Sequence, residues 1–307
     1  MKSTILRMLR EAGNGVVSGN DICAHLGTSR VAVWKLVRKL QESGYEIAST
    51  PRGYRLQTSP DALYPWEFPG REERIVYLPE TPSTMDAARE MARSGCPAYT
   101  TVIAGRQTQG RGRMRRKWFS RAGGLYFTVV LRPRLPILWS SRVNFLASLT
   151  LARILRERYA VEAGVKWPND ILVGGRKLCG LLSEMETEGE EVRFIDIGVG
   201  MNVNNTPPEV APPATALRGL LGRAVPRREI LSAFLDAMEA RVERETWEGV
   251  IAEWKSFSVT LDRDVRIETA RETIAGRALD VDENGALRVR TADGNLRTVV
   301  HGDCFLR

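Results

Sequence analysis

Histidine and cysteine are scarce in this chain of 307 residues, with two of the first (His25, His301) and four of the second (Cys23, Cys96, Cys179, Cys304). The cysteines lie far apart and form no CxxC pair. So few thiols and imidazoles argue against a zinc site. No run of about 18 apolar residues occurs, which argues against a membrane-spanning helix. The start, Met1 to Leu6, lacks the apolar core of a signal peptide. Scattered thiols without an export signal fit a reducing cytoplasm. Lysine is rare as well, seven residues against 38 arginines. The net charge of +8 points to an anionic partner, although an arginine skew is also what coding bias produces. The few lysines are therefore informative. Lys35 and Lys39 fall in a candidate DNA-reading helix, and Lys117, Lys166 and Lys177 fall in the motifs below. The length and the 43% hydrophobic content admit two or three domains.

The first pattern present is that of a helix–turn–helix. Ile5, Met8 and Leu9 recur at helical spacing and Gly13 closes the run. Ser18 is placed to cap a short helix carrying Ile22, Cys23 and Leu26, and Gly27-Thr28-Ser29 makes a turn. The next helix puts Val33, Leu36, Val37 and Leu40 on one face and ends at Gly44. Residues 45–49 and 54–56 flank Pro51-Arg52-Gly53 and read as a hairpin wing. The layout makes the second helix a DNA reader, with Ser29, Arg30, Lys35, Arg38 and Lys39 as contacts. Some of these would touch phosphates, which orient the protein without specifying sequence. Winged helices also serve protein contact, and that reading stays open. Pro60, Pro65 and Pro69 mark 58–70 as a linker.

In the centre, Arg74 to Leu78 reads as a strand, and the run Thr81-Pro82-Ser83-Thr84-Met85-Asp86 opens a helix reaching about Arg93. Ser83 or Thr84 offers a hydroxyl beside the first amides of that helix, for a ligand or as a plain cap. Tyr99 to Ala104 is a strand leading into Gln107-Thr108-Gln109-Gly110-Arg111-Gly112-Arg113-Met114-Arg115-Arg116-Lys117-Trp118. Five of the last eight residues of this loop are cationic. Its two glycines permit close approach of the backbone to a ligand. Closed over an anion, it offers amides and guanidinium forks suited to phosphate, and Trp118 to cover an adenine ring. A solvated or RNA-contacting loop is the plainer reading. Leu125 to Leu131 is apolar on both faces and so interior, and a helix is expected over about 140–158.

Residues 165–173, Gly174-Gly175 and 176–184 form a hairpin pattern. Strict alternation puts Lys177, Cys179 and Leu181 on one face, with Lys166 and Asp170 on the facing strand. A lone lysine near a turn is ordinarily solvated. Gly198 and Gly200, in the strand 195–203, let it press against a flat ring. A helix is expected from Pro226 to about Glu245, then another segment from Trp247 to Lys255. Short strands follow at 265–268, 273–279, 286–289 and 298–300, with Asn284-Gly285 and Asp293-Gly294 as turns.

Several strings resemble one family. SRVAVWKLVRKLQESGYEI with GYRL resembles the head module of biotin operon repressors, and the loop resembles GRGRxGRxW of biotin protein ligases. KWPND…GRKLCGLL and DIGVGMNVN are similar to that family's next two signatures, and the matches span 20–56 and 77–205 in the family's order. Two departures stand out: Met85 replaces the Asn of the family's Ser-Thr-Asn, and Arg115 replaces the last Gly of GRGRxGRxW. A non-glycine residue resists positive φ, so closure is open to change there.

The resemblance implies an α+β chain in four parts. These are a winged helix–turn–helix at 1–57, the linker 58–70, a catalytic domain at 71–258 with a mixed or antiparallel sheet of the class II synthetase-like kind, and an SH3-like barrel at 259–307. It implies a cytoplasmic ligase that uses biotin, ATP and Mg²⁺. Biotin carboxylate attacks the α-phosphate, and a lysine of a biotin carboxyl carrier protein domain then attacks the mixed anhydride. No enzyme nucleophile is needed, so positioning and charge carry the chemistry. Carried over residue by residue, biotin would meet Ser83, Thr84, Met85, Gln107, Gly110, Arg111, Gly112, Arg113, Lys177, Gly180 and Gly198. ATP would meet Arg111, Arg113, Trp118, Lys177 and Asn169. Lys177, Arg113 and Asp170 would be catalytic, with Asp170 accepting a proton or aligning the incoming amine. Freeing that amine of its proton at pH 7 costs about 4–5 kcal/mol. Residues 110–118 are expected to stay mobile until ligand orders them. The metal ligands are not specified. A ligand-bound homodimer would set two reader helices on an inverted repeat of operator DNA, and no membrane is involved. Two alternatives are a biotin-sensing DNA-binding regulator without ligase activity and a lipoate or octanoate ligase-like enzyme.

Overall fold

Three helices open the chain, α1 (Lys2–Glu11), α2 (Gly19–Leu26) and α3 (Arg30–Glu42). Serine caps start the second and third. Ser18 Oγ accepts from the Asp21 amide and Ser29 Oγ from the Ala32 amide, each satisfying an amide with no partner inside the helix. Gly27, at φ 60°, lets the chain turn between them. Their apolar faces meet in a core of Ile5, Leu6, Leu9, Ile22, Val33, Val37 and Leu40, closed by Tyr45 and Ile47. The wing is an antiparallel pair, β1 (Glu46–Thr50) and β2 (Gly53–Thr58).

The computed structural model describes residues 1–209, 213–244 and 247–306. By contacts, the chain falls into two units, Met1–Ile75 and Val76–Arg307. Residues 58–70, expected to be a linker, lie inside the first unit. Leu63 and Phe68 are buried, and Tyr64 stacks on Trp66 at 4.6 Å. Between them Glu67 is buried, accepting from the Tyr45 hydroxyl and, at 2.9 Å, from Arg10 Nη2. Burial, with the hydrogen bond to Glu67, pushes the Tyr45 phenol above its ordinary pKa. The prolines mark turns here, including a 3₁₀ turn at Pro65–Glu67. The interleaved aromatics decide that the segment packs.

The second unit is built on a seven-stranded sheet of order β3-β4-β5-β9-β8-β7-β6. The strands are β3 (Ile75–Thr81), β4 (Thr101–Gln107), β5 (Leu125–Leu131), β6 (Ala163–Lys166), β7 (Asp170–Val173), β8 (Arg176–Glu188) and β9 (Glu191–Met201). From β4 to β6 every neighbouring pair is antiparallel. All seven residues of β5 are buried, as an interior strand requires. Helix α4 (Thr84–Arg93) covers one face, where Ala88 and Ala92 pack on Val102, Val130 and Phe194. The other face is covered by α5 (Ser140–Tyr159), α7 (Arg227–Glu243) and α8 (Val250–Lys255), with the short α6 (Leu217–Leu221) falling between α5 and α7 in the chain. There Phe127 meets Phe234 edge to face at 5.3 Å, and Phe145 meets Trp254 at 4.9 Å. Helix α7 ends at Glu243, and Glu245, its expected end, lies outside the described residues.

A five-stranded antiparallel sheet ends the chain, in the order β13-β12-β11-β10-β14. Its strands are β10 (Asp264–Glu268), β11 (Thr273–Val281), β12 (Leu287–Thr291), β13 (Leu296–Val299) and β14 (Asp303–Leu306). Strand β14 is not expected from the sequence, because four residues carry too little alternation to register. Trp167 ties this sheet to the larger one, its amide donating to Thr260 Oγ1 and its indole N–H to the Gly285 carbonyl, both at 2.9 Å. Among the described residues no helix is long and apolar enough to cross a membrane.

Replacing Glu67 by Ala leaves the buried Tyr45 hydroxyl without an acceptor and the Arg10 guanidinium without its carboxylate, at a cost of about 2 kcal/mol. Hydrogen exchange of the full chain should show roughly a thirtyfold loss of amide protection in α1 and α3. Unchanged protection would mean that the 58–70 segment adds nothing to the first unit.

Candidate functional site

A cavity of about 680 Å³ opens on the α4 face of the large sheet. Its floor is made by glycines. Gly198 pairs with Thr128 and Gly200 with Gly180 across β5, β9 and β8, so these positions share one face. Side chains already use the space a Cβ would need. A Cβ on Gly200 would lie 2.5 Å from the Trp118 indole nitrogen, and one on Gly198 2.5 Å from the Met85 sulfur. The Trp118 N–H is buried and has no partner among the described residues.

At one end of the floor stands a charged triad. Asp170 is buried and receives Lys177 Nζ at 2.6 Å and Lys166 Nζ at 3.1 Å. Burial opposes charge on Asp170, but Lys177 and then Lys166 outweigh it and hold the carboxyl below its ordinary range. The alternation expected for Lys177, Cys179 and Leu181 does not hold. A register shift in the β7–β8 pairing sets Leu172 opposite Lys177 and Ile171 opposite Cys179. Lys177 therefore joins Asp170 and Gly180, with its Nζ 3.1 Å from where a Gly180 Cβ would stand. Cys179 is left buried, and burial raises its thiol pKa. The segment at 213–215 fixes the Lys177 backbone, since Lys177 N donates to the Pro213 carbonyl and Thr215 N to the Lys177 carbonyl, both at 2.9 Å.

The opposite end is polar. Ser83 caps α4 by accepting from the Met85 amide. Gln107 Oε1 accepts from the Thr84 amide at 2.8 Å and from the Thr84 hydroxyl at 3.1 Å, while its Nε2 donates to Ser120 at 2.7 Å. Met85 is buried, and its thioether lies on Gly198.

The basic loop closes over the floor as a short hairpin. Trp118 N donates to the Gly110 carbonyl at 2.8 Å and Gly112 N to the Arg116 carbonyl at 2.7 Å. Positive φ falls on Met114, at 51°, and the Arg115 side chain lies outside the described residues. Arg113 reaches inward, donating to Asn169 Oδ1 at 3.3 Å and to the Gly302 carbonyl at 3.2 Å. Arg111 turns to the rim, 2.8 Å from Asp86 and 3.4 Å from Glu184. Of the expected biotin and ATP residues, Gly110 alone does not line the cavity. A Cβ there would meet the Trp118 carbonyl at 2.5 Å, so its role is to admit the loop's return.

Sequence reasoning missed the far wall. Arg266, Asp303, Cys304 and Phe305 line the cavity from β10 and β14. Arg116 pairs with Asp303 at 2.6 Å, and Lys166 donates to the Cys304 carbonyl at 3.1 Å. No local pattern points there, since Asp303 to Leu306 is a run of four residues with no polar–apolar alternation. Among the described residues no cluster of His, Cys, Asp or Glu could hold a metal ion. The cavity's carboxylates, Asp170 and Asp303, are already paired with cations.

The expected DNA contacts lie together on the exposed side of α3. Lys35, Arg38 and Lys39 are exposed, and Arg30 is held by Asn20, its Nε donating to Oδ1 at 2.7 Å. Ser29 is committed as the cap of that helix.

Three family models match the chain. Residues 77–202 match the biotin/lipoate A/B protein ligase family, 2–55 an HTH domain, and 260–307 the biotin protein ligase C-terminal domain. The chain is 33% identical to the bifunctional ligase/repressor BirA of Bacillus subtilis, over 96% of this chain and 95% of that one. It is 27% identical to the protein of that name in Escherichia coli, over 98% and 97%. Among solved structures, the biotin protein ligase of Aquifex aeolicus in complex with biotin and ATP is similar at a TM-score of 0.64 and 27% identity, covering 76% of this chain and 98% of that one. The Leishmania major biotin protein ligase in complex with biotinyl-5-AMP gives 0.53 and 27%, covering 73% and 98%.

The triad sets a pH dependence. A carboxyl whose folded pKa is depressed stabilises the fold above its unfolded pKa, about 3.9, and loses that contribution as pH falls through the folded value. Asp170→Asn should cost about 3 kcal/mol at pH 7, since two partly buried ammonium groups lose their counter-charge. Its stability should also fall less steeply than the wild type's below pH 4. Urea unfolding across pH checks this, and parallel curves would show that Asp170 carries no depressed pKa.

Proposed function

The chain belongs to the biotin protein ligase family, in the branch that carries a helix–turn–helix domain at its head, and we propose that it joins biotin to a carrier-protein lysine using ATP and represses transcription in response to biotin. One observation carries the ligase half: a ring-sized glycine floor ends at the Lys166–Asp170–Lys177 triad, beneath an arginine-bearing loop.

The first step brings two anions together, so cations must stand at their junction. The biotin ring lies along the glycine floor beside the Met85 thioether, which already covers Gly198, and Gln107, already oriented by Thr84 and Ser120, faces its polar end. Lys177 and Arg113 hold the carboxylate and the α-phosphate in line. The carboxylate oxygen attacks phosphorus and pyrophosphate leaves. Trp118 covers the adenine, and Asn169, which bonds Arg113, helps to hold the nucleotide. The unpartnered Trp118 N–H supports a ligand that brings an acceptor. Arg111 reaches the ligand by leaving Asp86 and Glu184. Mg²⁺ would come with the nucleotide substrate and supply further positive charge to its phosphates, since Asp170 and Asp303, the carboxylates lining the cavity, are already engaged by cations.

In the second step the carrier lysine attacks the acyl carbonyl and AMP leaves. Of the two roles expected for Asp170, alignment is the one its environment supports. A carboxylate held below its ordinary range by two ammonium groups is a poor proton acceptor. The carrier is a biotin carboxyl carrier protein domain and the DNA partner an operator with an inverted repeat, met by a ligand-bound homodimer. Relatives matched along nearly their whole length, named as bifunctional ligase/repressors, support the pairing of the two activities.

Biotin-dependent exchange between ATP and pyrophosphate tests the enzyme. Exchange should be robust and should fall on the order of a hundredfold in Lys177→Ala. No exchange would leave a biotin sensor, exchange driven by lipoate or octanoate instead would leave the related ligase, and full activity in the variant would remove Lys177 from the site. For the DNA half, Lys35→Ala with Lys39→Ala should weaken duplex binding about tenfold and lower its salt slope by about two. Biotin transfer should be unchanged. Unaltered salt dependence would exclude α3 as the reader.

A further inference from the structure

Besides Met1, the first unit leaves two large apolar side chains in solvent, Val31 at 62% exposure and Trp34 at 49%. They sit three residues apart on α3 and so share a face. That face is opposite Val33, Val37 and Leu40, which build the core. Packing within the unit does not account for them, and an exposed tryptophan on a solvated helix calls for a partner. Arg30, Lys35, Arg38 and Lys39 stand around the pair, all exposed, and α3 carries no acid before Glu42. The Arg38 guanidinium lies 5.5 Å over the Trp34 ring, where the ring's quadrupole holds a cation.

An apolar strip rimmed by cations matches the major groove of duplex DNA. The groove's edges are phosphate, and its floor offers one apolar group, the thymine 5-methyl. Residues near the start of a reading helix face base edges, and Val31 and Trp34 are the second and fifth residues of α3. We propose that Val31 and Trp34 read thymine methyl groups in the major groove, with Arg38 steadied by the Trp34 ring. The inference rests on the reading of this unit as a duplex-binding module. The cations supply affinity, and the apolar pair supplies sequence preference.

The test uses the full chain with biotin and ATP. A duplex enriched from a randomised library is compared with the same duplex carrying deoxyuridine at its selected thymidines. Deoxyuridine removes the methyl and keeps the pairing pattern. Each contacted thymine should matter about fourfold for the wild type, the value of one buried methyl. Trp34→Gln and Val31→Ser should bind the thymidine duplex more weakly and lose the discrimination. Equal affinity of the wild type for both duplexes would overturn the proposal, and that comparison decides even if a variant fails to fold. A Trp34→Gln chain with unchanged duplex affinity but a smaller sedimenting species would assign the strip to contact between copies and also overturn it. Enrichment of no duplex at all would instead defeat the duplex-binding reading itself.

Discussion

The cavity depends on one buried carboxylate. Asp170 draws Lys177 and Lys166 to a common point, 2.6 and 3.1 Å away. Without it, two ammonium groups would face one another in a partly desolvated pocket and turn outward. With it, the chain can keep two cations beside a floor that has no side chains of its own. The fold holds the carboxylate from several directions. Trp167 docks the preceding stretch on the last sheet, and the segment at 213–215 pins the backbone of Lys177. Lys166 in turn reaches the Cys304 carbonyl. The electrostatic centre is thus held by the large sheet and the C-terminal sheet together.

The same economy governs the loop. Its arginines are already satisfied by protein groups: Arg111 by Asp86 and Glu184, Arg116 by Asp303, Arg113 by Asn169 and the Gly302 carbonyl. An anionic ligand then exchanges partners with cations that are in place, so the net gain is smaller than the Coulomb attraction of phosphate for bare guanidinium. What favours the exchange is geometry. Planar guanidinium forks match phosphate oxygens two at a time, while the protein carboxylates at the rim are half-exposed and screened. Asp196 marks the far end of this network. It is buried 3.6 Å from Arg89, which also pairs with Glu184, and burial raises its carboxyl pKa to about 6.

Much of this was legible in the residues. Helix caps at Ser18 and Ser83, the interior strand 125–131 and the glycine floor follow from spacing and from what glycine alone permits, whereas Ser29, expected in a turn and among the DNA contacts, is the cap of α3. The loop, Asp170, Lys177 and Gln107 are site residues on the strength of a family resemblance, whereas the part of Lys166, which pairs with Asp170 and reaches the Cys304 carbonyl, emerges only from the fold. The failures have local causes. A one-residue register shift reverses the faces after Lys177, and alternation cannot foresee a bulge. Residues 58–70 were read from their prolines when their aromatics decided the packing. The C-terminal wall was missed because its contribution is tertiary: Asp303 and Phe305 lie far along the chain from the loop they meet, and β14 is too short to announce itself.

The second half of the proposed chemistry meets a constraint that the cavity makes plain. An incoming lysine must arrive without its proton, yet among the described residues no histidine lines the cavity. Asp170 is held ionised by its lysines and cannot compete for a proton with an ammonium of ordinary pKa. The two nearby thiols are no better, since burial pushes Cys304 up to about 11 and Cys179 higher still. Those sulfurs would stay protonated at neutral pH. A site so rich in fixed cations disfavours a third ammonium electrostatically and favours the neutral amine. Exclusion of the charged form can therefore replace a dedicated base, and the proton is shed to solvent before the amine reaches the anhydride.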